Sequence, residues 1–278
     1  IVEAHQDFAT GRWLPDRDLT DSASAVPSIR GRISSYKEFS EADISQIYGE
    51  RITNAAHVDA SELRSLMFLN RGDHFETVPL PVEAQWSPAF GVTVADFNGD
   101  GNDDIFLAQN FFSAQPETFR NDAGRGLLLL GDGKGGMRAA SAAESGVAIY
   151  GEQRGSAACD YDGDGRMDLV VGQSNDKTVL LHNRTAKPGL RVRLEGSAGN
   201  RECIGAVVRA VTAKGLGRAQ VVTAGSGWWS QDSATLVVTS PQPITGLKIR
   251  WPNGMEEERQ VSANDKSVTF NQPAATMH

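Results

Sequence analysis

The stretch Asp96-Phe97-Asn98-Gly99-Asp100-Gly101-Asn102-Asp103-Asp104 recurs 64 positions later as Asp160-Tyr161-Asp162-Gly163-Asp164-Gly165-Arg166-Met167-Asp168. No other feature of the chain limits its fold so strongly. Asp or Asn at the first, third and fifth places sets hard oxygens on one side of a tight turn. The glycine at the sixth place permits the positive φ that bends the backbone round them. Eight aspartates fall within the two loops and would repel one another without a cation between them. A cage of hard oxygens suits Ca²⁺ better than Zn²⁺ or Cu²⁺. Two copies in one register also argue against plain Asp/Gly turns.

These loops are not EF-hands, which need a bidentate Glu at the twelfth place and flanking helices. Leu107 and Val171 stand there, and the last carboxylate comes at the ninth place, as Asp104 and Asp168. The flanks 90–95, 105–108, 156–159 and 169–172 are short and β-like. Each loop is therefore expected to be the tip of a β-hairpin. A second pattern runs in phase with the first. Residues 66–75 and 127–137 each read as a strand, a Gly-containing turn and a return, and 179–184 begins a third copy. Repeats of about 60 residues built from small antiparallel sheets point to a propeller or a related array.

Over residues 66–182 the motif Asp-x-(Asp/Asn)-Gly-Asp-Gly-x-x-Asp followed by an apolar strand resembles the FG-GAP/VCBS repeat of integrin-type β-propellers. The resemblance implies two Ca²⁺ sites. The first would use side-chain oxygens of Asp96, Asn98, Asp100 and Asp104 with the Asn102 carbonyl. The second would use Asp160, Asp162, Asp164 and Asp168 with the Arg166 carbonyl. After 186–189 the pattern changes to short strands and turns. Asn200-Arg201, Ile204-Gly205-Ala206, Gly225-Ser226-Gly227-Trp228-Trp229-Ser230-Gln231 and Arg250-Trp251-Pro252-Asn253-Gly254 resemble the ASPIC/UnbV domain. That domain follows such repeats in cartilage acidic protein and in many bacterial surface proteins. Cys203 stands where a small residue is commoner.

The expected fold is mainly β. A partial β-propeller of FG-GAP/VCBS-type blades over 66–187 carries a short helical insertion, and a small β-sandwich-like domain occupies 188–278. Residues 1–65 are expected to be a polar extended segment with short helices, similar to insertions in long bacterial proteins of the VCBS type. Within it, 1–30 reads as loop or extended chain, 35–48 as a helix with one apolar stripe, and 60–66 as a second short helix. A closed propeller needs about four blades or more, and two or three are present. The chain begins with Ile1. It is therefore expected to be the C-terminal part of a longer protein, its missing blades supplied by another chain, with an open array as the alternative.

Composition narrows the partners. The net charge is −8 and no basic stripe is present, so nucleic acid is excluded as a partner. No apolar run reaches membrane-spanning length. Acidity and a calcium requirement favour an extracellular, cell-surface or periplasmic home. Cys159 and Cys203 could be bridged or could be two thiols. Arg71-Gly72-Asp73, an adhesive tripeptide elsewhere, occupies a repeat turn. Gly131-x-Gly133-x-x-Gly136 imitates a dinucleotide loop but reads as a hairpin turn, and Asn183-Arg184-Thr185 spells a glycosylation sequon. His5, His57, His74 and His182 lack zinc spacing. Trp228 and Trp229 are candidates for stacking on a protein or glycan ligand, with Trp228 the better placed of the two for a core. The reading is a calcium-binding, non-catalytic surface scaffold. Its alternatives are a subunit of a larger surface assembly and a carbohydrate-active enzyme that uses the paired carboxylates.

Overall fold

The computed structural model describes residues 1–112 and 119–274. The chain divides into two compact units, the first built on residues 1–63 and the second on 64–112 and the chain from 120 onward.

The first unit opens with β1 (Ala4–Gln6) and β2 (Trp13–Pro15), an antiparallel pair. Four short helices follow, α1 (Leu19–Ala25), α2 (Tyr36–Glu41), α3 (Ile44–Tyr48) and α4 (Glu50–Thr53). Leu19, Ile29, Ile33, Phe39, Ile47 and Tyr48 bury together. Three expectations fail here. Residues 1–30 are extended in β1 and β2 but not loop or extended chain throughout, because Asp18 accepts the Asp21 N–H and starts α1, whose Leu19 and Ala23 are buried. The helix expected over 35–48 breaks in two. Ala42 is extended, and Asp43 starts α3 with a capping box, its carboxylate on the Gln46 N–H and the Gln46 side chain on the Asp43 N–H. No helix forms over 60–66, because Leu66 is already in a strand paired with Pro79.

The second unit begins with β3 (Leu66–Asn70) and β4 (Phe75–Pro79). A four-stranded antiparallel meander follows, of β5 (Ala89–Ala95), β6 (Asp104–Gln109), β7 (Leu127–Gly131) and β8 (Met137–Ala139). After the single turn α5 (Ala142–Ser145) come β9 (Gln153–Cys159), β10 (Asp168–Gln173) and β11 (Val179–Leu181), a three-stranded copy of the meander. β6 is buried on both faces, which makes it the middle of a stack. Its Leu107 and Ile105 pack with Met67, Leu80, Ala84, Leu127 and Leu129, toward the β3–β4 hairpin. Its Phe106 and Ala108 pack with Leu169, Val171, Val179 and Leu181 of the next sheet. β5 and β9 run side by side, with Thr93 Oγ1 2.6 Å from Ser156 Oγ. Gly91 is required there, since any Cβ would collide with the Arg154 carbonyl. No barrel or closed propeller forms among the described residues.

The remainder is all β, as expected: β12 (Leu190–Glu195), β13 (Val207–Thr212), β14 (Gly215–Leu216), β15 (Gln220–Val221), β16 (Leu236–Val238), β17 (Ile244–Arg250), β18 (Glu256–Gln260) and β19 (Ser267–Asn271). One sheet has the order β16-β12-β19, with β12 and β19 parallel. The other runs β14-β13-β17-β18, with β15 also on β13. Strict alternation in β12 turns Leu190, Val192 and Leu194 inward. They meet Val208, Ala210, Leu247, Ile249 and Trp251 from the second sheet in one core.

Candidate cation loops and the domain docked on them

Both acidic loops sit at hairpin tips, between β5 and β6 and between β9 and β10. Their backbones repeat each other bond for bond. Asp96 Oδ1 accepts the N–H groups of Gly99 (2.6 Å) and Asp100 (3.2 Å), and its Oδ2 accepts that of Gly101 (2.7 Å). Asp160 does the same for Gly163 (2.9 Å), Asp164 (3.0 Å) and Gly165 (2.9 Å). Gly101 and Gly165 hold the sixth place at φ +93° and +84°, the conformation the spacing demands. Asn98 and Asp162 accept from the fifth residue, and Asp100 and Asp164 from the seventh, Asn102 and Arg166. The ninth carboxylate closes each loop. Asp104 takes the N–H of Phe97 (2.9 Å) and of Gly131 (2.9 Å). Asp168 takes those of Tyr161 (3.2 Å) and Asn183 (2.7 Å).

Oxygens converge most tightly in the second loop. One carboxylate oxygen each of Asp160, Asp162 and Asp168 lie within 4.8 Å of one another, and oxygens of Asp162 and Asp164 group likewise with a ring nitrogen of His182. In the first loop Asn98 replaces one carboxylate, and its amide nitrogen lies 3.1 Å from Asp100 Oδ2. Burial pushes the Asp104 carboxyl up to about 6, and the charges of Asp96 and Asp100 add to that. Asp168 is raised for the same reasons, burial first and Asp162 after it. Asp164 is held low, because hydrogen bonds and charge from Arg166 outweigh burial. Its Oδ2 lies 2.5 Å from Arg166 Nη1. The loop carboxylates are hard oxygen donors with the ninth one buried, and although Arg166, Arg191 and His182 already lie against the second loop, the set fits a divalent cation such as Ca²⁺.

Sequence reasoning overlooked Asn183. Its side-chain amide donates to Phe97 O (2.8 Å) in the first loop and to Met167 O (3.0 Å) in the second, so one residue ties the loops together. Its phase with Gly131 was the available signal. The competing motifs resolve into turns. Arg71-Gly72-Asp73 joins β3 to β4, with Gly72 at φ +100°, and Gly133 and Gly136 lie in the β7–β8 turn. Both cysteines are free thiols, Cys203 buried and Cys159 half-buried.

Beyond the loops, Asn200 both donates to and accepts from the backbone of Ile204, and Trp251 is wholly buried. Two of the C-terminal motif islands are thus structural. Residues 196–277 form an ASPIC/UnbV domain, matching the family described as ASPIC and UnbV. No curated protein matches the chain.

The ASPIC/UnbV domain and its lead-in strand β12 sit directly on both acidic loops. Thr239 Oγ1 donates to Asp96 Oδ2, and Arg218 pairs with Asp103. Arg191 Nε of β12 lies 2.8 Å from Asp160 Oδ2, an ion pair in which the N–H is not aligned as a hydrogen bond. Gly189 N–H donates to Gly165 O at 2.8 Å. The ASPIC/UnbV domain also caps the open edge of β9, where Asp232 accepts the Ala158 N–H (2.7 Å) and Ser233 N–H donates to Ala158 O (3.0 Å). Trp228 and Trp229 lie on the turn leading into that cap, and the structure corrects the expectation for Trp228. It is 50% exposed, resting edge-on against Phe90 with ring centroids 6.4 Å apart, while Trp229 is 92% exposed at φ +48°. The turn is too short to carry either ring into the core, whose Trp is Trp251.

Proposed function

We propose that residues 64–187 are calcium-stapled sheets of the FG-GAP/VCBS kind, blades of a propeller completed from outside this chain. They carry the ASPIC/UnbV domain on their cation loops. The protein acts as a non-catalytic binding or scaffold module at a cell surface, in the extracellular space or in the periplasm. The matched pair of loops carries this reading: two cradles 64 residues apart, with the same backbone bonds and the same buried ninth carboxylate. Calcium would be held by Asp96, Asn98, Asp100, the Asn102 carbonyl and Asp104, and by Asp160, Asp162, Asp164, the Arg166 carbonyl and Asp168. A bound ion would supply positive charge to the buried Asp104 and Asp168, which are held by backbone N–H groups. A non-catalytic role agrees with how the carboxylates are used. Those raised by burial are engaged with backbone N–H groups, and this includes Asp232 on Ala158.

Equilibrium dialysis with radioactive calcium tests the reading. Two ions per chain are expected, with Mg²⁺ competing poorly because it gives up water reluctantly. The pair Asp100→Asn with Asp164→Asn should weaken both sites, and a chain that retains no calcium at millimolar free ion sinks the proposal. One variant should move the other way. The Arg166 guanidinium occupies the Asp164 carboxylate that the second ion would use. Arg166→Gln is expected to tighten the second site by roughly fivefold, the worth of one partly exposed ion pair. Unchanged affinity would mean that Arg166 does not compete.

A further inference from the structure

The two meander sheets are copies that differ by one strand. Asp104 and Asp168 close their loops on the N–H groups of Gly131 and Asn183. The register sets Ile105 opposite Leu129 and Leu169 opposite Leu181. β11 is therefore the counterpart of β7, with Leu180, Leu181 and His182 standing for Leu128, Leu129 and Leu130. β7 has a second neighbour. It pairs with β8 through Leu129–Ala139, Leu130–Arg138 and Gly131–Met137, and Ala140 N–H donates to Leu128 O at 2.8 Å. Among the described residues β11 pairs with β10 alone.

Strand alternation identifies the open groups. Asn183 N–H turns toward Asp168, so the backbone N–H and C=O of Leu180 and His182 turn away from β10, as those of Leu128 and Leu130 turn toward β8. Leu180 is 49% exposed. Leu181 and His182 form the rim of a cavity of about 450 Å³, walled by Leu128, Leu130, Val147 and Leu169. An unpaired edge beside an apolar wall is the setting in which an extended segment adds to a sheet, its main chain on the edge and alternate side chains over the wall.

We infer that β11 takes one antiparallel strand from a separate polypeptide segment. That segment has the apolar–polar–apolar alternation that Met137-Arg138-Ala139 gives β8. The sister sheet supplies the occupant's geometry, and the inference holds whichever cation the loops take.

The probe is a fluorescein-labelled peptide copying residues 134–148, titrated against the full chain by anisotropy, with hydrogen exchange read on β11. Saturable binding is expected, with new protection at the amides of Leu180 and His182. N-methylation at Arg138 and Ala140 removes the two donors that face β7 in the intact sheet, and should weaken the peptide by about tenfold or more. Leu180→Pro removes an outward donor without touching the β10 ladder, and should abolish binding while leaving circular dichroism unchanged. The inference is overturned by no saturable binding at millimolar peptide, by equal binding of the N-methylated peptide, or by protection that avoids β11. A concentration-dependent dimer that protects the same two amides without peptide would give the edge to a second copy and overturn it too. Running each titration in calcium and in EDTA keeps a failure of the calcium reading separate.

Discussion

Trp251→Ala is expected to cost the chain about 3–5 kcal/mol, the largest loss among its tryptophans. Trp251 is fully buried where the two sheets of the ASPIC/UnbV domain meet. Its Nε1–H donates to Glu257 Oε1 at 2.9 Å, so truncation leaves a large void and removes one of the carboxylate's donors, Arg259 remaining on its other oxygen at 3.0 Å. Trp228→Ala removes only an edge-on contact with Phe90, worth about 1 kcal/mol. Trp229→Ala removes a ring that is almost wholly in solvent. Urea unfolding of the three variants at neutral pH separates them. A Trp251→Ala chain within about 1 kcal/mol of the parent would mean that this core does not depend on it.

The second large effect is the loss of an acid-side pH dependence when calcium is added. Without a cation the folded Asp104 carboxyl is pushed up to about 6, above the 3.8 of an unstrained carboxyl, and Asp168 is raised as well. The folded chain then holds protons that the unfolded chain has released. The stabilisation these groups contribute is fully present below the unfolded value and is lost as pH rises through the folded one, so metal-free stability should fall between about pH 4 and pH 6. With millimolar calcium the same ionisation creates the ligand, and the gain from binding should cancel most of the fall across that window. For a Kd of ~0.1 mM, each site adds about 1.4 kcal/mol at 1 mM calcium, so the two curves should separate by about 3 kcal/mol near pH 7 and meet near pH 4. Asp104→Asn should flatten the metal-free curve in part. Thermal unfolding across pH, in calcium and in EDTA, is the measurement, and parallel curves in the two media would refute the coupling.

The conformation of the acidic loops was legible because everything that shapes it is local. Nine consecutive places contain the glycines and the capping carboxylates, the hairpin flanks adjoin them, and each bond within Asp96–Asp104 spans seven residues or fewer. Trp251 was missed although its signal was local: Leu247 and Ile249 alternate in β17, Trp251 continues that alternation just past its end, and all three enter one core, which the sequence reading had offered to Trp228 instead. The N-terminal helices were misread although their signals were present. Asp43 and Gln46 have capping-box spacing, yet the apolar stripe through them was given precedence over the cap. Docking of the ASPIC/UnbV domain left no local trace. Thr239 reaches Asp96 across 143 residues and Asp232 reaches Ala158 across 74. A Thr and an Asp in surface turns look the same whether or not another sheet arrives beside them.

Asn183 has a consequence for how the chain can be produced. An N-linked glycan is built on the side-chain nitrogen of a sequon asparagine, and in Asn183-Arg184-Thr185 that nitrogen is already donating to the Phe97 and Met167 carbonyls. The folded protein offers an oligosaccharyl transferase no acceptor here. Modification in a secretory host would have to precede folding, and a sugar on that atom would take the bracket between the two loops away. Order of events, rather than the presence of the sequon, decides whether material from such a host keeps its loops joined.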